Sequence, residues 1–242
     1  MKNTHALRSA TARRVSALRT PCPTVASRPV RRVVTKRTKR VVGYLSSVKM
    51  RGLVPWESQL EYDCLRLMEV DNSVDAFFAQ PEMLPYRHEG IMRRYYPDLY
   101  VEYGDGRAEM VEVKYQADAD DPDNAELFAV FAAAYAERGI NYRVMTENDV
   151  RRQPLLTNVT IMLEDRDRAP NERLKLRVAE AFAVRRPSTL GDLEATLGFE
   201  PERRGDLYGM AIRGHFEIDI ESAPLSADSR ITSPFNALSQ EG

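Results

Sequence analysis

A Gly104-Asp105-Gly106 turn stands between two runs rich in strand-forming residues, Arg93 to Tyr103 and Ala108 to Tyr115. Glycines beside an aspartate supply the backbone freedom a tight turn needs, so the two runs are predicted to pair as a hairpin. The pairing constrains the fold strongly, because side chains alternate faces along a strand and a paired strand has those faces fixed. Glu112 and Lys114 then point one way, with Val113 turned into the opposite core. Asp98, in the other arm, joins them at one patch. Two carboxylates and an ammonium suit phosphodiester hydrolysis. Hard oxygen donors hold Mg2+, with Mn2+ as a substitute, and a cation stands beside the attacking water and the charge that develops on phosphorus. In this arrangement Asp98 and Glu112 are the expected metal ligands and Lys114 the electrostatic stabiliser.

Ahead of the hairpin, Glu57 to Glu69 is predicted as a helix introduced by Pro55 and Trp56, with Leu60, Cys64, Leu67 and Met68 forming one buried stripe. Glu57 and Glu61 fall on the flank of that stripe, whereas Tyr62, Arg66 and Glu69 fall opposite, on an expected exposed face. A carboxylate facing a core is costly without compensation, so one of the two is expected to meet a metal ion or a lysine. Val74 to Gln80, ended by Pro81, and Leu84 to His88 read as strands. Ala125 to Arg138 reads as a helix stopped by Gly139, and Asn141 to Met145 as a further strand. This order predicts an α/β fold: a mixed sheet flanked by helices. From Asn171 the pattern turns helical (Glu172 to Val184, Thr189 to Leu197, Pro201 to Arg213), and a strand, His215 to Ile220, comes after. The expected organisation is a basic disordered arm over 1–54, the α/β domain over 55–165, a winged-helix-like domain over 166–222 and a flexible tail over 223–242.

The formal net charge of -1 conceals a segregation. Residues 1–56 carry 14 of the 35 Lys and Arg and no Asp or Glu, which leaves 21 basic against 36 acidic residues over 57–242. An acid-free arm bearing Arg31, Arg32, Lys36, Arg37, Lys39 and Arg40 cannot bury enough apolar surface to fold alone. Binding to DNA phosphates suits it, by counterion release; a solvated tail and a transit peptide are the readings left open. Arg93 and Arg94 are candidates for gripping a DNA backbone, with an ordinary strand edge as the plain alternative. No run approaches the ~18 apolar residues of a bilayer-spanning helix, so no membrane role is expected. Cys22 and Cys64 make neither a disulfide framework nor a zinc site, which suits a reducing cytoplasm.

Taken in order, Glu57-Ser-Gln-Leu-Glu61, Gln80-Pro81, Tyr96-Pro97-Asp98 and Glu112-Val113-Lys114 resemble the TnsA-type transposon endonucleases, whose N-terminal domain has the restriction-endonuclease-like PD-(D/E)xK fold. The resemblance spans about Pro55 to Gln153, and the helices after Asn171 look like the family's C-terminal winged-helix domain. It implies a Mg2+-dependent endonuclease that cuts the 5′ strands of double-stranded DNA at transposon ends. Its implied partners are a DDE transposase, which cuts the 3′ strands, and an AAA+ regulator ATPase. The implied location is the bacterial cytoplasm, with nucleoid association during activity. By position Glu61, rather than Glu57, matches the family's helix glutamate. The implied catalytic set is therefore Glu61, Asp98, Glu112 and Lys114, with the three carboxylates as metal ligands. Gln80 is an accessory candidate, although capping a strand end explains it equally well. The family's last triplet opens with Glu or Gln, and Glu112 is the fuller ligand of the two.

Other patterns fail on inspection. Asp118, Asp120, Asp121 and Asp123 resemble a calcium loop, but Asp123 and Ala129 stand where an EF-hand needs Gly and Glu. His88-Glu89 lacks a second histidine at metalloprotease spacing. Residues 171–242 hold 9 basic against 12 acidic residues, a balance that favours docking to protein over reading DNA. Two rivals stand beside the transposition reading: a stand-alone restriction or repair nuclease of the same fold, and a non-catalytic DNA-binding adaptor.

Overall fold

The computed structural model describes residues 15–17 and 41–233. In chain order the elements are β1 (Val15–Ala17), β2 (Gly43–Ser47), β3 (Gly52–Trp56), α1 (Gln59–Val70), β4 (Val74–Ala79), β5 (Leu84–His88), β6 (Ile91–Tyr95), β7 (Leu99–Tyr103), β8 (Ala108–Val113), α2 (Gln116–Ala119), α3 (Pro122–Ala136), β9 (Asn141–Met145) and α4 (Glu147–Val150). After these come α5 (Leu155–Glu164), α6 (Glu172–Val184), α7 (Leu190–Leu197), α8 (Arg204–Ile212), β10 (Glu217–Ile218) and β11 (Ile231–Thr232). The central sheet runs β4-β7-β8-β9, antiparallel except for the parallel β8–β9 pair, whose crossover contains α2 and α3.

Alternation along β7 and β8 divides the interior in two. Leu99, Val101, Val111 and Val113 face α1, where Leu60, Cys64, Leu65 and Met68 complete an apolar core. Tyr100 and Met110 face the other way, into an aromatic cluster with Phe131 and Tyr135 of α3 and Leu84 and Tyr86 of β5. Each fully buried large apolar side chain contributes roughly 1.5–3 kcal/mol, so both faces help hold the sheet against its helices.

The predicted strand from Arg93 to Tyr103 divides into β6 and β7, which belong to different sheets. β6 pairs with β5, and β5 also pairs with β1; β7 lies between β4 and β8. The break falls at Tyr96-Pro97-Asp98, where Pro97 has no N–H to donate to a ladder. Asp98 therefore precedes its strand instead of lying within it.

The expected arm over 1–54 is too long. β2 and β3 form a hairpin that buries Leu45, Val54 and Trp56 in the α1-side core. Gly43 is required there because a Cβ at this position would lie 2.5 Å from Cζ2 of Trp56. Glu69, expected on the exposed face of its helix, is fully buried. Its carboxylate accepts from Ser47 Oγ at 2.5 Å and from the Val48 N–H at 2.6 Å, and so fastens the hairpin to α1. The pairing of β1 with β5 also falls inside the expected arm. Arg31, Arg32, Lys36, Arg37, Lys39 and Arg40 lie outside the described residues.

The C-terminal unit packs α6, α7 and α8 around Leu174, Val178, Leu190, Leu193, Leu207 and Phe216. The boundary expected at 165/166 is not a break in packing, since α5 contacts both α1 and α8 and puts Leu155, Val159 and Met162 into this core beside Val70. Gly209 lets α8 approach closely; a Cβ there would sit 2.4 Å from the Arg168 carbonyl oxygen. Of the expected strand over 215–220, only Glu217–Ile218 pairs, with Ile231–Thr232. That partner lies in the expected tail, which is tied down as far as Ser233: the Leu190 N–H donates to the Ser229 carbonyl at 2.9 Å, and Ile231 is buried. Among the described residues no helix is long and apolar enough to cross a membrane.

Candidate active site

Asp98 is held from both sides. The Gln80 N–H donates to its carbonyl oxygen at 2.8 Å, and the Val113 N–H donates to its Oδ2 at 2.8 Å, which fastens the carboxylate to the end of β8. Immediately beyond β8, the Lys114 N–H donates to the Met145 carbonyl at 3.0 Å, so backbone pairing with β9 fixes where the lysine emerges. Its Nζ lies 3.8 Å from Asp98 Oδ2 and is in direct contact with Glu112 Oε1. Glu112 is only 4% exposed. Its other oxygen, Oε2, accepts from the Tyr95 hydroxyl at 2.5 Å, and Tyr95 in turn lies 3.0 Å from the Tyr142 hydroxyl.

Glu61 arrives from the first turn of α1. Ser58 caps the helix by accepting from the Glu61 N–H at 3.1 Å, and Glu61 Oε2 accepts from the Glu57 N–H at 2.8 Å. Burial, and then the charge of Asp98, raise the Glu61 carboxyl to about 7. Burial, and then Glu112, likewise raise Asp98 to about 7, against the opposing pull of Lys114. At Lys114 burial pulls downward, but Asp98 and Glu112 outweigh it and hold the ammonium above its ordinary range. The patch is thus short of positive charge, with Lys114 partly neutralising carboxylates that repel one another.

A hard divalent cation would relieve the same repulsion, and carboxylate oxygens are its preferred donors, so the donor chemistry fits Mg2+. Among the described residues, however, no three His, Cys, Asp or Glu side chains are already gathered as a metal site. Lys114 stands against Asp98 and Glu112 instead.

The structure brings Asp98, Glu112 and Lys114 into contact and sets Glu61 within electrostatic reach of Asp98. Gln80 is 3% exposed, with a left-handed backbone at φ 46° that costs on the order of 1–3 kcal/mol in a residue other than glycine. Its backbone positions Asp98. Arg93 and Arg94 are exposed on β6 and stand outside the cluster, opposite Tyr86 and Pro85 respectively. Sequence reasoning misses Tyr95 and Tyr142 as site residues. A parallel alignment of β9 with β8 sets Tyr142 opposite Met110, on the Glu112 face, and would have found one of them. Nothing in local sequence signals Tyr95, which reaches Glu112 from another sheet.

A mixed sheet flanked by helices, with an aspartate entering one strand and a Glu-x-Lys triplet leaving its neighbour, has the restriction-endonuclease-like fold. Residues 71–147 match the family described as TnsA-like endonuclease N terminal, a span that contains Gln80, Asp98, Glu112 and Lys114 and leaves Glu61 outside. This part of the chain, which holds the β4-β7-β8-β9 sheet, is thus similar to a TnsA-like endonuclease N-terminal domain. No curated protein matches the chain.

Proposed function

We propose that the protein is a Mg2+-dependent endonuclease that cuts the 5′ strands of DNA at transposon ends, as one subunit of a heteromeric transposase. The observation that carries this reading is the convergence of Asp98, Glu112 and Lys114 at the joined ends of β7 and β8. Asp98, Glu112 and Glu61 would hold the ion, which when bound supplies a Lewis acid and charge compensation for the phosphate. Lys114 does not act as a base, because its two carboxylate neighbours keep it protonated. It binds the phosphate oxygens, orients the attacking water and offsets charge as it develops, a role that burial strengthens. Asp98, fixed through its own carbonyl and Oδ2, keeps the ammonium aimed at that place.

The protein's partners in this reading are a DDE transposase and an AAA+ regulator; the match to a TnsA-like endonuclease domain supports partnership with DNA and a transposase in general. The C-terminal unit, three helices with a two-stranded hairpin, resembles a winged helix and carries more acid than base, which favours protein docking. The basic residues of the arm and Arg93 and Arg94 would contact DNA phosphates.

The test is strand-specific nicking of a transposon-end duplex, with partner transposase present, by wild type, Asp98→Ala and Lys114→Ala. Both variants should lose on the order of 100-fold or more in rate while assembling normally. Near-normal nicking by either would remove the site assignment. Efficient cutting by wild type without any partner would favour a stand-alone nuclease.

A further inference from the structure

Two phenols stand directly behind Glu112. Tyr95 closes β6 and Tyr142 lies on β9, yet their hydroxyls meet at 3.0 Å, and Tyr95 donates to Glu112 Oε2 at 2.5 Å. The rings are held in place. Tyr95 stacks on Phe131 with centroids 3.8 Å apart and 5° between planes, and Tyr142 stacks on Tyr135 at 5.9 Å and 3°. The two oxygens of Glu112 therefore have different surroundings: Oε2 is committed to the aromatic cluster, whereas Oε1 meets Lys114 on the site side. A phenol donating to a carboxylate is a charge-assisted bond, short and strong, and a stacked ring cannot swing to track a rotating partner.

We propose that Tyr95, backed by Tyr142, is a positioning residue that ties up one oxygen of Glu112, so that Glu112 offers the site a single oxygen and the site favours small divalent ions over large ones. The proposal rests on the reading of Glu112 as a metal ligand. Its chemical basis is the difference between the ions. Mg2+ is held by one or two carboxylates at short distances in an octahedral shell, whereas Ca2+ takes six to eight oxygens and accepts both oxygens of one carboxylate. Releasing Oε2 would open the two-oxygen mode. The plainer reading is that Tyr95 only satisfies a buried carboxylate; it predicts a loss of stability with no change in ion preference.

Tyr95→Phe removes the hydroxyl and keeps the ring against Phe131. Binding of Mn2+ and of Ca2+ to the full chain without DNA, measured by calorimetry, separates the readings when Tyr142→Phe and Glu112→Gln are run alongside. Glu112→Gln should weaken both ions at least about 10-fold. Tyr95→Phe should shift the Mn2+-to-Ca2+ affinity ratio toward Ca2+ by about 10-fold, the size typical of residues that orient a ligand. Tyr142→Phe should shift it the same way by less, and it decides the matter if Tyr95→Phe does not fold. A wild-type ratio in the tyrosine variants, with binding lost in Glu112→Gln, overturns the positioning role alone. Unchanged Mn2+ binding in Glu112→Gln overturns the ligand reading of Glu112 and this proposal with it.

Discussion

The two faces of the β7–β8 pair are built from neighbouring residues and serve opposite ends. On the α1 side Leu99, Val101, Val111 and Val113 pack into an apolar cluster. On the α3 side, Met110 is succeeded by Glu112 at the same alternation, and the aromatic cluster around it supplies hydroxyls as well as rings. A carboxylate can stay on a buried face only where donors are arranged for it, so the wet corner depends on Tyr95, Lys114 and the Val113 N–H, while the dry face depends on volume alone. One face should therefore fail through stability and the other through chemistry.

Adjacent residues give the sharpest separation. Leu99→Ala should cost about 2–5 kcal/mol in denaturant unfolding, because Leu99 is 1% exposed and its loss leaves a cavity. Asp98→Asn, one residue earlier, should not destabilise the fold and should remove nicking. A Leu99 variant that is inactive but fully stable would break the division between the faces.

The next largest effect separates two glutamates on one helix turn. Glu61→Gln should lower nicking by about 100-fold with little change in Tm, since it loses the charge that couples to Asp98. Glu57→Gln should stay active, because Glu57 meets Glu61 through its backbone N–H. The reverse pattern would move the site to the other glutamate.

On the dry side, Glu69 is an exception that should behave structurally. Glu69→Leu strips the partner from Ser47 Oγ and the Val48 N–H, and unpaired buried polar groups cost roughly 1–3 kcal/mol, so the β2–β3 hairpin should loosen while the nicking proposed above persists below the melting range. Faster amide exchange over residues 43–56 would report the loosening. Unaltered exchange would show that the hairpin holds through Leu45, Val54 and Trp56 without its carboxylate clasp.

The smallest effect expected is in pH dependence, because Lys114 partly offsets it. Asp98 and Glu61 have folded-state values near 7, above their ordinary values of 3.8 and 4.5, so the folded protein holds more protons across that window. Their contribution to stability is fully present below about pH 4 and is lost as pH rises through about 7. In EDTA, Tm should therefore fall over this range for wild type and fall less for Asp98→Asn; identical slopes would mean that Asp98 is not strained when charged. Added Mg2+ should flatten the wild-type slope, since an ion favours the charged carboxylates.

Much of this molecule is readable from local pattern. The strand over 141–145 and the helix over 172–184 appear with the bounds expected, and the Gly104-Asp105-Gly106 turn joins β7 to β8 as its chemistry requires. The pairing of Glu112 with Lys114 comes from period-two alternation, which is a property of the strand itself. Periodicity fails where a partner distant in sequence intervenes. The helical wheel puts Glu69 in water, but a hairpin some twenty residues earlier covers that face and buries the carboxylate. The run from Arg93 to Tyr103 looks like one strand, and although Pro97 marks the place where it breaks, only the pairing of one half with β5 and of the other with β4 and β8 sends the halves to different sheets. Over residues 223–233 the structure departs from the expected loose tail for the same reason, since they are held by α5, α7 and β10, elements that composition does not reveal.

What the sequence determined by itself is the alternation that puts Glu112 and Lys114 on one face, the turn that sets their strand beside β7, and the segregation of basic charge into the first 56 residues. The tertiary structure alone decided that Tyr95, from a different sheet, would close over Glu112, that Gln80 would hold Asp98 through its backbone, and that Glu69 would be buried. The physical reason is range. Side-chain direction is set within a few residues by backbone geometry, but the partner that satisfies a buried charge is set by whichever distant segment can reach it with a donor in place.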